Sequence, residues 1–380
     1  MLPGGDLKVA SKKGSDTAYR VMMVDDSAVI RGLMTRLLEA EPDIVISASV
    51  GNGKQALEAL DRHDIEVIIL DIEMPVMDGM TALPLLLKKR PDVKVLISST
   101  LTAKNAAISL KALSMGASDY LTKPQAAGLR SADEFKRDVV EKIRALGQLV
   151  RSRGRGAEAA RPTPSAPGAT APRGLYPKSK IVLRKAPIER PAVLAIGSST
   201  GGPQALFNLF DLIDKPLNAP ILITQHMPPT FTRILAERLG AMTGLPAGEG
   251  IDGEAVIRNH IYVAPGDHHM TVVDKGGIPT IQITNGPPEN FCRPAVDPML
   301  RGVAEVYGRK VLVVILTGMG SDGALGSQVV VDGNGSVIAQ DEATSVVWGM
   351  PGAAATSGVC SAVLPLSGIA PYVMRRFGAR

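Results

Sequence analysis

Two cysteines, Cys292 and Cys360, are all that the 380 residues contain, with no CxxC pair and no Cys/His cluster. That excludes a disulfide framework and a structural zinc site. Long apolar runs are missing too. None reaches the roughly 18 residues of a membrane-spanning helix, and the leading MLPGGDLKVASKKGSD lacks the apolar core of a signal peptide. A cytoplasmic protein with no membrane insertion is expected. The formal charge of +5 suggests a nucleic-acid binder until its distribution is considered. Between Arg151 and Arg190 lie ten Lys or Arg against two acidic residues, so the remainder of the chain is net acidic. The basicity belongs to a Pro-, Ala- and Arg-rich stretch that reads as a disordered, semi-extended tether. No helix-turn-helix with a basic recognition helix follows it, so no nucleic-acid partner is expected.

At this length two domains with separate cores are expected. The chain divides as a disordered leader over 1–17, a first domain over 18–140, a helix end and flexible basic linker over 141–190, and a second domain over 191–380. In the first domain apolar runs at Tyr19–Val24, Ile44–Val50, Val67–Leu70, Val93–Ile97 and Ala117–Leu121 alternate with amphipathic helical patterns. Such alternation gives a doubly wound α/β fold, and five strands in this length suit a flavodoxin-like parallel sheet. The second domain repeats the alternation at Ala192–Ile196, Pro220–Thr224, Ile261–Ala264, Val311–Leu316 and Ser336–Ala339. It reads as a second, mostly parallel sheet, with a hairpin inserted over Met270–Thr284.

Chemistry concentrates at the expected carboxyl ends of these strands. Asp25 and Asp26 follow the first strand, Asp71 ends the third, Ser98 ends the fourth and Lys123 follows the fifth. Three carboxylates converging beside a lysine imply a hard cation, most simply Mg2+. In the second domain VLAIGSSTGG runs from an apolar strand into glycines and hydroxyls before a helical pattern. The spacing Gly197-x-Ser199-x-Gly201 fits a nucleophile elbow, and it equally fits a structural or phosphate-binding turn. His226 follows ILITQ and Asp322 follows VLVVILTGMGS, so both stand just after strands, as Ser199 does. A histidine beside the hydroxyl would take its proton and a carboxylate behind it would orient the ring. Spacing alone leaves His260, His268 and His269 as rival bases.

These motifs resemble known families. Residues 19 to about 140, with DD, LDIEMPVMDG, the strand-four hydroxyl and the Lys123-Pro124 pair, resemble the receiver domain of two-component response regulators. The resemblance implies that Asp71 accepts a phosphoryl group. It also implies that Asp25, Asp26, Asp71 and the Glu73 carbonyl hold Mg2+, that Ser98 and Lys123 sense the phosphoryl group, and that the Lys123-Pro124 bond is cis. Residues 192 to about 375, with GSSTGGP, TQHMPPTFT, YVAPGDHHM, RPAVDPML, LTGMGSDGA and AQDEATSVVWGMP, resemble the catalytic domain of the CheB-type protein-glutamate methylesterases of bacterial chemotaxis. That resemblance implies Ser199 as nucleophile, His226 as base and Asp322 as orienting acid, with the Met319 N–H and Thr200 near the oxyanion. It further implies methylated chemoreceptor helices as substrate, a chemotaxis histidine kinase as phosphodonor, deamidation of receptor glutamines, and no cofactor in the catalytic step. Ser198 stands where the family usually has alanine. The competing expectation is a non-enzymatic adaptor whose receiver changes binding partners and whose serine turn is structural.

Overall fold

The computed structural model describes residues 17–100, 102–123, 132–158 and 181–378. Among them no helix is long and apolar enough to cross a membrane. The first body alternates β1 (Tyr19–Val24), α1 (Ala28–Glu39), β2 (Ile44–Val50), α2 (Gly53–Arg62), β3 (Val67–Asp71), α3 (Gly79–Lys89), β4 (Lys94–Ser99), α4 (Ala103–Ser114), β5 (Asp119–Thr122) and α5 (Ala132–Glu158). Its five strands form a parallel sheet in the order β2-β1-β3-β4-β5. Every residue of β3 is buried, as a strand covered on both faces requires. The helix starts are written locally: the side chains of Ser27, Asn52, Asp78 and Thr102 each accept a backbone N–H from the first turn of the helix that follows.

One expectation changes here. Helix α5 continues to Glu158, so Arg151–Glu158 is helical rather than part of an irregular tether. Its three arginines, Ala157 and Glu158 are good helix formers that carry the helix through Gly154 and Gly156, and the first proline after Pro124 is Pro162. The expected leader over 1–17, all but its last residue, and the tether over 159–180 lie outside the described residues, as does the Lys123-Pro124 bond.

The second body contains β6 (Val193–Ser198), α6 (Gly202–Asp211), β7 (Ile221–Gln225), α7 (Phe231–Thr243), β8 (Ala247–Glu249), β9 (Ile261–Val263), β10 (His269–Lys275), β11 (Ile278–Thr284) and α8 (Val296–Tyr307). It continues through β12 (Val311–Ile315), α9 (Ala324–Asp332), β13 (Ser336–Gln340), α10 (Met350–Thr356), β14 (Ala362–Leu364) and α11 (Leu366–Phe377). Seven strands pair in the order β14-β13-β12-β6-β7-β9-β8, all in parallel, and β10 with β11 forms the separate antiparallel hairpin. The core packs Val193, Ala195, Val313 and Ile315 against Val296, Met299, Leu300 and Val303 of α8. Because chain order reverses between β6 and β12, a crevice opens at their carboxyl ends, which is where doubly wound sheets bind ligands. The turns after β6 and β12 carry Ser199 and Asp322, and β7, on the other side of β6, leads into His226.

Candidate active site

Beyond β6 the chain must turn at once into α6, and the residues there are small for identifiable reasons. Gly201 adopts φ +75, the left-handed region that side chains resist, and a Cβ on Gly202 would overlap Gln225 Oε1. Gln225 is buried and ties three neighbours together. Its Nε2 donates to the carbonyls of Ser199 (3.0 Å) and His226 (3.2 Å), and its Oε1 accepts from the Ser198 hydroxyl at 2.6 Å. Nucleophile turn and histidine turn are thereby held by one amide. A further backbone bond runs from the His226 N–H to the Ser198 carbonyl (3.1 Å).

Ser198 and Ser199 are thus distinguished. Ser198 is fully buried with its hydroxyl committed to Gln225. Ser199 is half-buried, and its N–H is bound to the Thr317 carbonyl (3.1 Å). The free elbow donors therefore belong to its neighbours. Among the described residues the Met319 and Thr200 N–H groups have no protein acceptor, while the Thr200 carbonyl receives the Thr317 hydroxyl at 2.9 Å.

His226 Nε2 lies 2.7 Å from Asp322 Oδ2, with Asp322 only 1% exposed. The carboxylate accepts, so Nε2 carries the proton and Nδ1 is the nitrogen left for chemistry. Asp322 is itself gripped by the start of α8: Val296 N donates to Oδ2 (2.6 Å) and Asp297 N to Oδ1 (3.1 Å), joined by Gly323 N (2.9 Å). A carboxylate at a helix N-terminus is favoured by the aligned peptide dipoles. Burial works to raise the Asp322 carboxyl, but the hydrogen bond and charge of His226 with these N–H groups hold it below the ordinary range. One layer back, Asn290 Nδ2 bridges Asp322 Oδ1 and Asp297 Oδ2, each at 3.1 Å. Burial and the neighbouring Asp322 push the Asp297 carboxyl up to about 6.

The rival histidines are accounted for. Ala295 N donates to His269 Nδ1 (3.1 Å) and Nε2 donates to the Pro287 carbonyl (3.0 Å), so both nitrogens are structural. His268 bonds Asn285, and His260 stacks on Tyr262 with ring centroids 4.3 Å apart. Among the described residues only His226 is joined to a buried carboxylate. Gln225, Asn290 and Asp297 were missed by sequence reasoning, although Gln225 and Asp297 lie within the TQHMPPTFT and RPAVDPML motifs.

A family model described as CheB methylesterase matches residues 194–373, and one described as response regulator receiver domain matches 21–132. The protein-glutamate methylesterase/protein-glutamine glutaminase 1 of Paramagnetospirillum magneticum is 53% identical over 376 residues, covering 97% of this chain and 99% of its own. This chain belongs to that family. The Rhodospirillum rubrum protein of the same name is 54% identical over 373 residues, covering 95% of this chain and 96% of its own. Among solved structures, the catalytic domain of the Thermotoga maritima CheB methylesterase is 40% identical with a TM-score of 0.47, covering 49% of this chain and 99% of that one.

The receiver of this methylesterase-family chain carries its own constellation. Asp25, Asp26 and Asp71 each offer a carboxylate oxygen, all within 4.8 Å of one another. Hard oxygen donors at that spacing suit a hard divalent cation. Asp71 is 6% exposed and accepts the Ile72 N–H (2.8 Å), which fixes the carboxylate's orientation. Glu73, on the following loop, is exposed. At the end of β4 the Ser99 hydroxyl bonds the carbonyls of Thr100 (3.2 Å) and Asn105 (3.4 Å), whereas that of Ser98 makes no hydrogen bond among the described residues. Lys123 follows β5, its N–H bound to the Ser99 carbonyl (2.7 Å).

Proposed function

We propose that this chain hydrolyses glutamate γ-methyl esters on the cytoplasmic helices of chemoreceptors, and deamidates glutamine there, under the control of receiver phosphorylation. The observation that carries the reading is the 2.7 Å contact of His226 with buried Asp322, made beside the Ser199 turn. An adaptor has no use for an imidazole oriented by a carboxylate at a switch-point crevice.

Ser199 Oγ bonds to the acyl carbon as its proton passes to His226 Nδ1. The oxyanion draws on the free N–H groups of Thr200 and Met319. Collapse then breaks the C–OCH3 bond, and the same proton leaves with methanol. Water repeats the sequence, its proton again taken by Nδ1, and releases the glutamate carboxylate. Glutamine differs only in the leaving group, ammonia, and no cofactor enters either step.

In the receiver, Asp71 is the phosphoacceptor, with a chemotaxis histidine kinase as phosphodonor. Asp25, Asp26, Asp71 and the Glu73 carbonyl are the groups that would hold Mg2+, whose charge offsets that of an incoming phosphoryl group. Ser98, with its uncommitted hydroxyl, and Lys123 would read the phosphoryl oxygens. The domain limits read from the sequence, 18–140 and 191–380 with a linker between, place the two activities on separate bodies. A cytoplasmic location follows from the substrate.

Methanol release from methylated receptor membranes, measured for the whole chain with and without phosphodonor, tests the reading. Failure to release methanol under both conditions would exclude it. The Ser198 to Gln225 hydrogen bond supplies a sharper control. Ser198→Ala should lose about 1–3 kcal/mol of stability through the buried acceptor it strands, yet keep methanol release near the wild-type rate.

A further inference from the structure

His226 has two nitrogens, and both are taken. Nε2 meets Asp322, while Nδ1 lies 3.3 Å from Cys292 Sγ; no hydrogen bond joins the ring to Ser199 among the described residues. Cys292 is presented by a tight turn. Glu289 and Cys292 exchange backbone bonds of 3.1 and 2.9 Å across Asn290 (φ 50) and Phe291 (φ 61). Two successive left-handed residues are the pattern of a type I′ turn. Arg301 holds one end, with Nη1 and Nη2 at 2.9 and 2.5 Å from the Glu289 carboxylate. Asn290 thus reaches the back of Asp322 while Cys292 reaches the front of the imidazole.

This matters because the ring has one lone pair to give. Asp322 fixes the proton on Nε2, so the Ser199 proton can go only to Nδ1. If the Cys292 thiol donates S–H to Nδ1, the lone pair is occupied. If that proton has moved across, Nδ1 carries it and sulfur is a thiolate. In neither arrangement can the ring deprotonate a serine. We propose that Cys292 is a built-in brake on the esterase, holding the base nitrogen in the resting state and releasing it for each productive encounter. The inference rests on the reading of Ser199, His226 and Asp322 given above.

The electrostatics agree. Burial opposes charge on the ring, but the Cys292 sulfur and the Asp322 carboxylate outweigh it and lift His226 from 6.5 to about 10. The other charged groups packed around the pair are Glu289 on the Cys292 turn, which Arg301 of α8 pairs, and Asp297 of α8, which acts through Asp322. A base so raised is protonated at neutral pH, and only withdrawal of the sulfur lowers it without dismantling the site. Rotation of one side-chain torsion at half-buried Cys292 moves the sulfur off the ring without a backbone change.

The test uses the full chain with Cys292→Ala and Cys292→Ser. His226 is titrated by imidazole NMR, assigned by loss of its signal in His226→Gln, and kcat and KM for methanol release are followed against pH. In Cys292→Ala the His226 midpoint should fall by at least about one unit, which makes neutral base about tenfold more abundant on the low-pH side. The ascending limb of kcat/KM, which reports the free enzyme, should move down with it, while that of kcat, which reports the complex in which the sulfur is already withdrawn, should stay. Cys292→Ser keeps a donor for Nδ1 but not the sulfur, so its midpoint should fall while its rate gain is smaller than that of the alanine variant. An unchanged midpoint in both variants overturns the brake, as does an ascending limb of kcat/KM that does not move. Residual activity in Ser199→Ala that iodoacetamide on Cys292 removes would make the thiol a nucleophile and also overturn it. Full activity in Ser199→Ala that alkylation leaves intact instead refutes the serine assignment, with the NMR midpoint still reporting the sulfur's hold.

Discussion

Ser199→Ala is expected to reduce methanol release by about 10⁴-fold or more while leaving the thermal transition near that of the wild type. The effect is large because the hydroxyl carries the bond-forming atom, and the stability cost is small because the turn is held by other groups. The Ser199 N–H is bound to Thr317 and its carbonyl to Gln225, and neither bond involves the side chain. The His226→Ala variant should lose comparable activity, since among the described residues no other histidine is joined to a buried carboxylate. Combined in one chain, the two losses should be strongly non-additive, the double variant falling little below either single one. Multiplicative losses would mean that serine and histidine act in separate steps and would break the proposed triad.

The strand pattern was legible where strands are long and apolar. β1 and β2 have the limits read from the sequence, and the other expected strands lie within two residues of theirs. β8 and β14 were missed because each has three residues at a sheet edge, and AGE in β8 has no apolar run to detect. The last eight residues of α5, RSRGRGAE, share the tether's Arg- and Gly-rich composition and carry no apolar periodicity to mark them as helix. Within the site, Ser199, His226 and Asp322 stood out because each ends a strand. The choice among four histidines needed Asp322, which is 96 residues away, and no local signal supplies that pairing. Cys292 was counted in the sequence only to exclude disulfides and zinc, since its contact with His226 spans 66 residues. Asn290 and Gln225 are invisible for the same reason: an amide that bridges two elements looks like any other loop amide until the elements meet.

Asp71→Asn should abolish incorporation of hydroxylamine-sensitive phosphate from a small phosphodonor in the presence of Mg2+, because the amide keeps the carboxylate's shape without its nucleophilic oxygen. The same substitution should change stability in the opposite direction. Asp25, Asp26 and Asp71 crowd three carboxylates within 4.8 Å, and like charges at that range oppose the fold when no cation is bound. Without divalent ions Asp71→Asn should therefore melt above the wild type. Added Mg2+ should raise the wild-type transition through binding to the folded state alone, by about 2.7 kcal/mol at a hundred times its Kd. The variant, with one ligand and one charge fewer, should respond much less, and the two melting curves should converge or cross as Mg2+ increases. Calorimetry with and without Mg2+ decides this independently of any phosphate assay. If Asp71→Asn melts lower in chelator and gains as much from Mg2+ as the wild type, Asp71 is not part of the cation site. Loss of phosphate incorporation would then have to come from a damaged fold, since the backbone N–H of Ile72 and the buried end of β3 depend on that side chain.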